Sequence, residues 1–184
     1  MTVMILYATV EGQTEKIARF AADTVRAAGR QPVLVNSDTQ DALALEGVEA
    51  VILAAPVHER RHPPSFERAI SAHRDELAAR RTLLLSVSLS AAFPDGHEDA
   101  EDYLLEMKMR TDFTPDSEAL VAGAIKSRDY DYFKSVVVRH VVLRDRDVDA
   151  SVTEHEFTDW DGLEQLITGF LAAPGQQTRT GAGA

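Results

Sequence analysis

The chain has 184 residues, no cysteine, and 19 Lys and Arg against 30 Asp and Glu, giving a formal charge of −11 and a pI near 4.9. That length suits one domain able to bury a sizeable core, while the missing thiols exclude disulfides, thiol catalysis, iron–sulfur clusters and cysteine-ligated zinc. The acidic balance disfavours nucleic acid and anionic membranes as partners and favours basic ones.

Val3–Tyr7 reads as a short buried strand. A tight loop follows, and Thr14–Ala28 is an amphipathic helix with Ile17, Phe20, Ala21, Val25 and Ala28 on one face. Gly29 stands where a left-handed residue closes a helix. Pro32–Asn36 is a second strand, placed at a sheet edge by its proline. Ser37–Glu46 is polar and reads as a loop with a helical turn. Val48–Ala55 and Thr82–Leu89 are almost wholly apolar, the pattern of strands covered on both faces. Between them Pro64–Arg80 reads as one helix with Phe66, Ile70 and Leu77 inward. Asp95–Arg110 is a helix with an acidic start, Ala119–Ile125 a fifth strand, and Asp159–Ala172 a last helix capped by Thr158. One domain over residues 1–173 is expected, with a disordered Gly/Ala/Gln-rich tail at 174–184. The start of the chain carries no basic segment followed by an apolar one, and no apolar run reaches membrane-spanning length. A cytoplasmic location is expected, with any membrane contact at most peripheral to the inner membrane.

The loop Thr9-Val10-Glu11-Gly12-Gln13-Thr14 is the most informative segment. A helix start offers unpaired N–H groups and the positive end of the helix dipole, a ready anion site. Thr9 and Thr14 add hydroxyl donors, and Gly12 lets the backbone approach without a Cβ. No Lys or Arg lies in the loop, so a phosphate would be held by dipoles. That suits a phosphomonoester such as that of FMN better than a nucleoside triphosphate; neither the GxxxxGK[ST] nor the GxGxxG pattern is present. Strands spaced by helices imply a doubly wound α/β fold, a five-stranded parallel sheet with helices on both faces. Ligands bind such sheets at the carboxyl ends of the strands, where the loops Thr9–Thr14, Pro56–Pro63 and Ser88–Asp95 should converge.

Other patterns invite chemistry. His58-Glu59-Arg60-Arg61-His62 matches H-E-x-x-H, a zinc signature that requires a helix. Pro56 before it and Pro63-Pro64 after it keep the segment out of the helical region, so a surface loop is expected and no metal site. His97 and Glu101 share a helix face and read as a solvated acidic turn. Ser86, Ser88 and Ser90 alternate along one strand face, with no His–Asp pattern to make a hydrolase. Tyr130, Tyr132 and Phe133 could wall a planar substrate or pack on the sheet, and Lys126 and Arg128 could meet substrate carboxylates or stand in solvent.

ILYATVEGQTEKIA, VILAAPVHERRHPPSF and LLLSVSLSAA resemble the flavodoxin-like FMN proteins over nearly the whole chain. VAGAIKSRDYDYF and the late TDW at Thr158–Trp160 are similar to the menaquinone-dependent protoporphyrinogen oxidases within them. The resemblance implies that Thr9, Val10, Glu11, Gly12, Gln13 and Thr14 hold an FMN phosphate. It implies Pro56, Val57 and His58 on one side of the flavin, and Ser88, Leu89 and Ser90 on the other. Lys126, Arg128, Tyr130 and Tyr132 are the candidates for the substrate side, since an aromatic surface beside cations suits a flat dicarboxylate. The oxidase subgroup tends to carry Arg and Tyr where His58 and Glu59 stand, and large ring-stacking side chains are missing here.

The leading expectation is an FMN-dependent oxidoreductase passing electrons from a reduced porphyrin to a quinone. A soluble electron carrier docking a basic redox protein, and a scaffold without redox activity, are the alternatives. A homo-oligomer is left open.

Overall fold

In a parallel sheet wound by helices, each strand must bury both of its faces, and the apolar runs of this chain do so. The computed structural model describes residues 1–39, 42–126 and 154–173. Strands β1 (Thr2–Tyr7), β2 (Gln31–Asn36), β3 (Val48–Pro56), β4 (Arg81–Ser88) and β5 (Ser117–Ala122) form one sheet in the order β2-β1-β3-β4-β5. All four pairings are parallel; Ile5 stands opposite Leu34 and Ile52, and Leu85 opposite Ala54 and Ala119. β2 is an outer strand, as Pro32 requires.

Side chains alternate across the sheet with period two and feed two cores. Val3, Ile5, Ile52, Leu83 and Leu85 meet Ile17, Ala21 and Val25 of α1 (Gln13–Ala27) and Leu163, Ile167 and Phe170 of α5 (Trp160–Ala172). Met4, Leu6, Val51, Leu53 and Leu84 meet Phe66 and Ile70 of α2 (Pro64–Ala72), Leu77 of α3 (Arg74–Ala78), and Leu104 and Met107 of α4 (His97–Thr111). Each fully buried Ile or Leu contributes about 1.5–3 kcal/mol. The helices therefore lie on both faces, and α1 closes at Gly29 with φ 72°, as its position predicts.

Several boundaries differ from the sequence reading. The helix expected over Pro64–Arg80 is two helices broken at His73, whose N–H is shared between the Ala69 and Ile70 carbonyls. Ser37–Glu46 forms a turn at 37–39 and no helical turn among its described residues; Leu43 and Leu45 drop into the second core instead. The strand expected over Ala119–Ile125 ends at Ala122. Gly123 donates its N–H to Ser88 O, and its carbonyl accepts from Phe157 N–H. The chain is thereby handed to a separate antiparallel pair, β6 (Ala124–Lys126) with β7 (Glu154–Glu156).

Thr158 is not the cap of the last helix. Asp159 is, its Oδ1 accepting from Gly162 N–H at 3.0 Å. Thr158 turns inward and donates its hydroxyl to Ala122 O at 2.7 Å. An N-cap carboxylate of this kind is worth about 1 kcal/mol, so Asp159→Ala is expected to lower unfolding free energy by about that much, read from urea melts. An unchanged midpoint would show that α5 is held by packing alone.

Candidate functional site

β1, β3 and β4 are neighbours, and the order reverses between β1 and β3, so the loops leaving their carboxyl ends are adjacent. The first of them is folded by its own residues. Ala8 N–H donates to Ala54 O, the Thr9 hydroxyl accepts from Gly12 N–H at 3.0 Å, and Gly12 takes the left-handed region at φ 91°. The first intrahelical bond of α1 is Lys16 N–H to Gly12 O. The N–H groups of Gln13, Thr14 and Glu15 thus come before it, and no side chain caps the helix. An uncapped helix end opened by a left-handed glycine fits a phosphate. Thr9 and Gly12 are half-buried beside exposed Val10 and Glu11, whereas Gln13 and Thr14 point inward and are buried. Gln13 Nε2 donates to Thr158 Oγ1 at 3.0 Å, and Gln13 Oε1 is buried without a hydrogen-bond partner. Toward an anion in the loop, Gln13 has its backbone N–H to give.

The second loop leaves β3 at Pro56. Val57 N–H donates to Val87 O at 2.7 Å, and His58 and Arg61 exchange both backbone hydrogen bonds around a two-residue turn. Glu59 and Arg60, at the turn, have φ of 49° and 66°. Arg60 lies over the Tyr103 ring at 5.2 Å, and Arg61 pairs with Glu67 at 3.0 Å. The third loop leaves β4 at Ser88, whose Oγ accepts from Ala91 N–H. Leu89 leads into a 3-10 turn at Ser90–Ala92, so Ser90 does not continue the strand face of Ser86 and Ser88. A Cβ at Gly96 would collide with the Ser90 carbonyl, which keeps the loop folded back on α4. Phe93 closes its far end edge-on against Phe157, centroids 5.5 Å apart.

His58 and His62 do not face one metal. His58 is in the turn, and His62 is fully buried with Nε2 3.0 Å from Ser86 Oγ. No group of three His, Asp or Glu suited to a metal ion occurs among the described residues. The side chain of Lys126, and all of Arg128, Tyr130, Tyr132 and Phe133, lie outside the described residues.

Sequence reasoning passed over three participants. His62 was visible only inside the zinc-like motif. Glu156 accepts from Trp160 Nε1 at 2.6 Å and from Lys16 Nζ at 3.2 Å, tying α1, β7 and α5 together. Burial works to raise its carboxyl, but the hydrogen bonds from Trp160, Lys16 and Gln13 outweigh it and hold it below the usual range. Thr158, read as a cap, joins Gln13 to the end of β5.

Residues 4–150 match the Flavodoxin domain family. Protoporphyrinogen IX dehydrogenase (quinone) of Escherichia coli strain K12 is 23% identical over 162 residues, 88% of this chain and 90% of that protein. Among solved structures, a flavodoxin of Streptococcus pneumonia TIGR4 superimposes with a TM-score of 0.54 at 16% identity, over 94% of this chain and 99% of that one. The rubredoxin oxygen:oxidoreductase of Desulfovibrio gigas aligns at 17% identity with a TM-score of 0.47, and this chain spans 37% of its length.

Burial pushes His62 down to about 4, with Glu67 opposing and Arg110 assisting. Its unfolded value lies near 6.5, so between these two pH values the unfolded state binds more protons. Stability must then fall as pH drops from about 6.5 to about 4, by on the order of 3 kcal/mol in full. His62→Gln, which cannot titrate, should flatten that part of the profile in urea melts at successive pH. A variant keeping the full slope would place the acid sensitivity elsewhere.

Proposed function

Because this chain belongs to the Flavodoxin domain family, we propose that it is an FMN-dependent oxidoreductase with its cofactor at the carboxyl ends of β1, β3 and β4. The observation that carries the reading is the uncapped start of α1, opened by Gly12 in the left-handed region. The N–H groups of Gln13 and Thr14, with Thr9 beside them, hold the phosphate by dipoles. Val10 and Glu11 form the outer wall of that loop. Pro56, Val57 and His58 line one side of the ring, and Ser88, Leu89 and Ser90 the other, where backbone groups meet the polar ring edge. The flavin supplies the electron transfer itself; the loops orient it, exclude water from its faces and set its potential.

The finer proposal is oxidation of protoporphyrinogen with a quinone as acceptor. It is supported by similarity to the Escherichia coli dehydrogenase over 88% of the chain and by the segments Ala122–Phe133 and Thr158–Trp160, which a plain electron carrier does not need. Lys126 and Arg128 would meet the substrate carboxylates, and Tyr130 and Tyr132 its flat face. No helix among the described residues is long and apolar enough to cross a membrane. A second reading, a carrier docking a basic redox protein, draws on the charge of −11.

Gly12→Val forces a β-branched residue to φ near 91°. It should weaken FMN binding by about 1–3 kcal/mol in calorimetry, and unchanged affinity in a folded variant would place the phosphate elsewhere. In an anaerobic assay with reduced protoporphyrin and a menaquinone analogue, the FMN-loaded protein should be reduced by the porphyrin and reoxidised by the quinone. A flavin untouched by the porphyrin but exchanging electrons with a flavodoxin reductase would establish the carrier instead.

A further inference from the structure

The excursion from β3 to α2 leaves the sheet and returns to it, and both of its tie points are on the same neighbouring strand. At its start Val57 N–H donates to Val87 O at 2.7 Å, and at its end His62 Nε2 lies 3.0 Å from Ser86 Oγ. Between them stands the turn with Glu59 and Arg60 in the left-handed region. β4 then runs only to Ser88 before it becomes the opposite loop. The two loops that would enclose a flat ring are therefore spaced by adjacent residues of one strand, Ser86 and Val87, through one side-chain tie and one backbone tie.

His62 is 0% exposed, and its Nδ1 is buried with no hydrogen-bond partner. Packing alone would be served by an apolar side chain, which strands no polar atom. The ring is neutral at pH 7, and the nearby Glu67 carboxylate is already held by Arg110 and Arg61, so His62 is not there to balance charge. Its directional contact is with Ser86.

We propose that His62, acting through Ser86, is a positioning residue that fixes the spacing of the Pro56–His58 and Ser88–Ser90 loops and so sets the relative affinity for oxidised and reduced FMN. The inference rests on the FMN reading above. Reduction adds hydrogen to the ring edge and changes the shape of the ring system. A slot of fixed width discriminates between the two forms; a loosened slot does so less, and the ratio of the two affinities sets how far the midpoint potential of bound FMN is displaced from that of free FMN.

The test compares wild type with His62→Leu, Ser86→Ala, the double variant, and His62→Gln, whose amide can reach Ser86. Readouts are FMN affinity, midpoint potential and Tm. His62→Leu and Ser86→Ala are each expected to change the ratio of oxidised to reduced affinity by about tenfold, about 30 mV for a two-electron couple. The double variant should be no worse than either single one, and His62→Gln should return the potential toward wild type. Ser86→Ala, a small change, keeps the test valid if His62→Leu fails to fold. Potentials and affinities equal to wild type, with only Tm lowered, would overturn the inference and leave the FMN reading intact. A wild-type chain that takes up no FMN would overturn both.

Discussion

Both faces of the central sheet are sealed by helices, and the polar groups that chemistry requires are thereby pushed to the strand ends. From Val3 to Leu6, from Ala50 to Ala55 and from Leu83 to Leu85 no residue is more than slightly exposed. A side chain aimed off such a strand meets a helix. What remains reachable is the backbone where β1, β3 and β4 stop, and the reversal of strand order between β1 and β3 opens a crevice there. The candidate site is consequently made mostly of backbone N–H groups and short side chains. With no cation in the Thr9–Thr14 loop, and a net charge of −11, the attraction that loop offers an anion is limited to short-range dipoles.

Loops of this kind need to be held from behind. Glu67 does so for the turn after β3. It is buried on α2, accepts from Arg110 on α4 at 2.8 Å and from Arg61 in the turn at 3.0 Å, and these guanidiniums hold its carboxyl low against the opposing effect of burial. Exposed guanidiniums on a buried carboxylate add little net stability, but removing Arg110 is costly, because it leaves the Glu67 charge buried with a weaker partner. The Thr9–Thr14 loop has a different support: Gln13 to Thr158 to the Ala122 carbonyl, with Glu156 gathering Lys16 and Trp160 alongside. The end of β5 is thus connected to the start of α1 by side chains separated by 145 residues in sequence.

Much of the fold was legible in the sequence because local pattern and tertiary demand agree. The start VMILYATVEGQ reads as an apolar strand, a Thr- and Gly-bearing loop and the opening of an amphipathic helix, and the doubly apolar strands announce a parallel sheet. What was not legible depended on competition among near-equal neighbours. Thr158 and Asp159 are both good caps, and the choice went to Asp159 because the Thr158 hydroxyl had a stronger use at Ala122. The break at Gly123 depends on its hydrogen bonds to Ser88 and Phe157, partners that no local window contains. His62 sits among charged residues and prolines, and its burial follows only once the two-residue turn before it reverses the chain into the core. Leu43 and Leu45 lie in a polar stretch too short for a period to reveal them.

The all-parallel register bears also on how the chain can reach this state. No two strands of the five-stranded sheet can pair through a tight hairpin, since every pairing joins strands separated by a crossover. β1 must wait for β2, whose register partners lie 29 residues downstream, Thr2 opposite Gln31 and Tyr7 opposite Asn36, and for β3 beyond it. Loop closure has to be completed before any of those contacts is gained, which makes the search slow relative to helical folds of the same length. During that interval the apolar edges of β1 and β3 are open, and the vulnerable species in the life of this molecule is the chain whose central strands have not yet met.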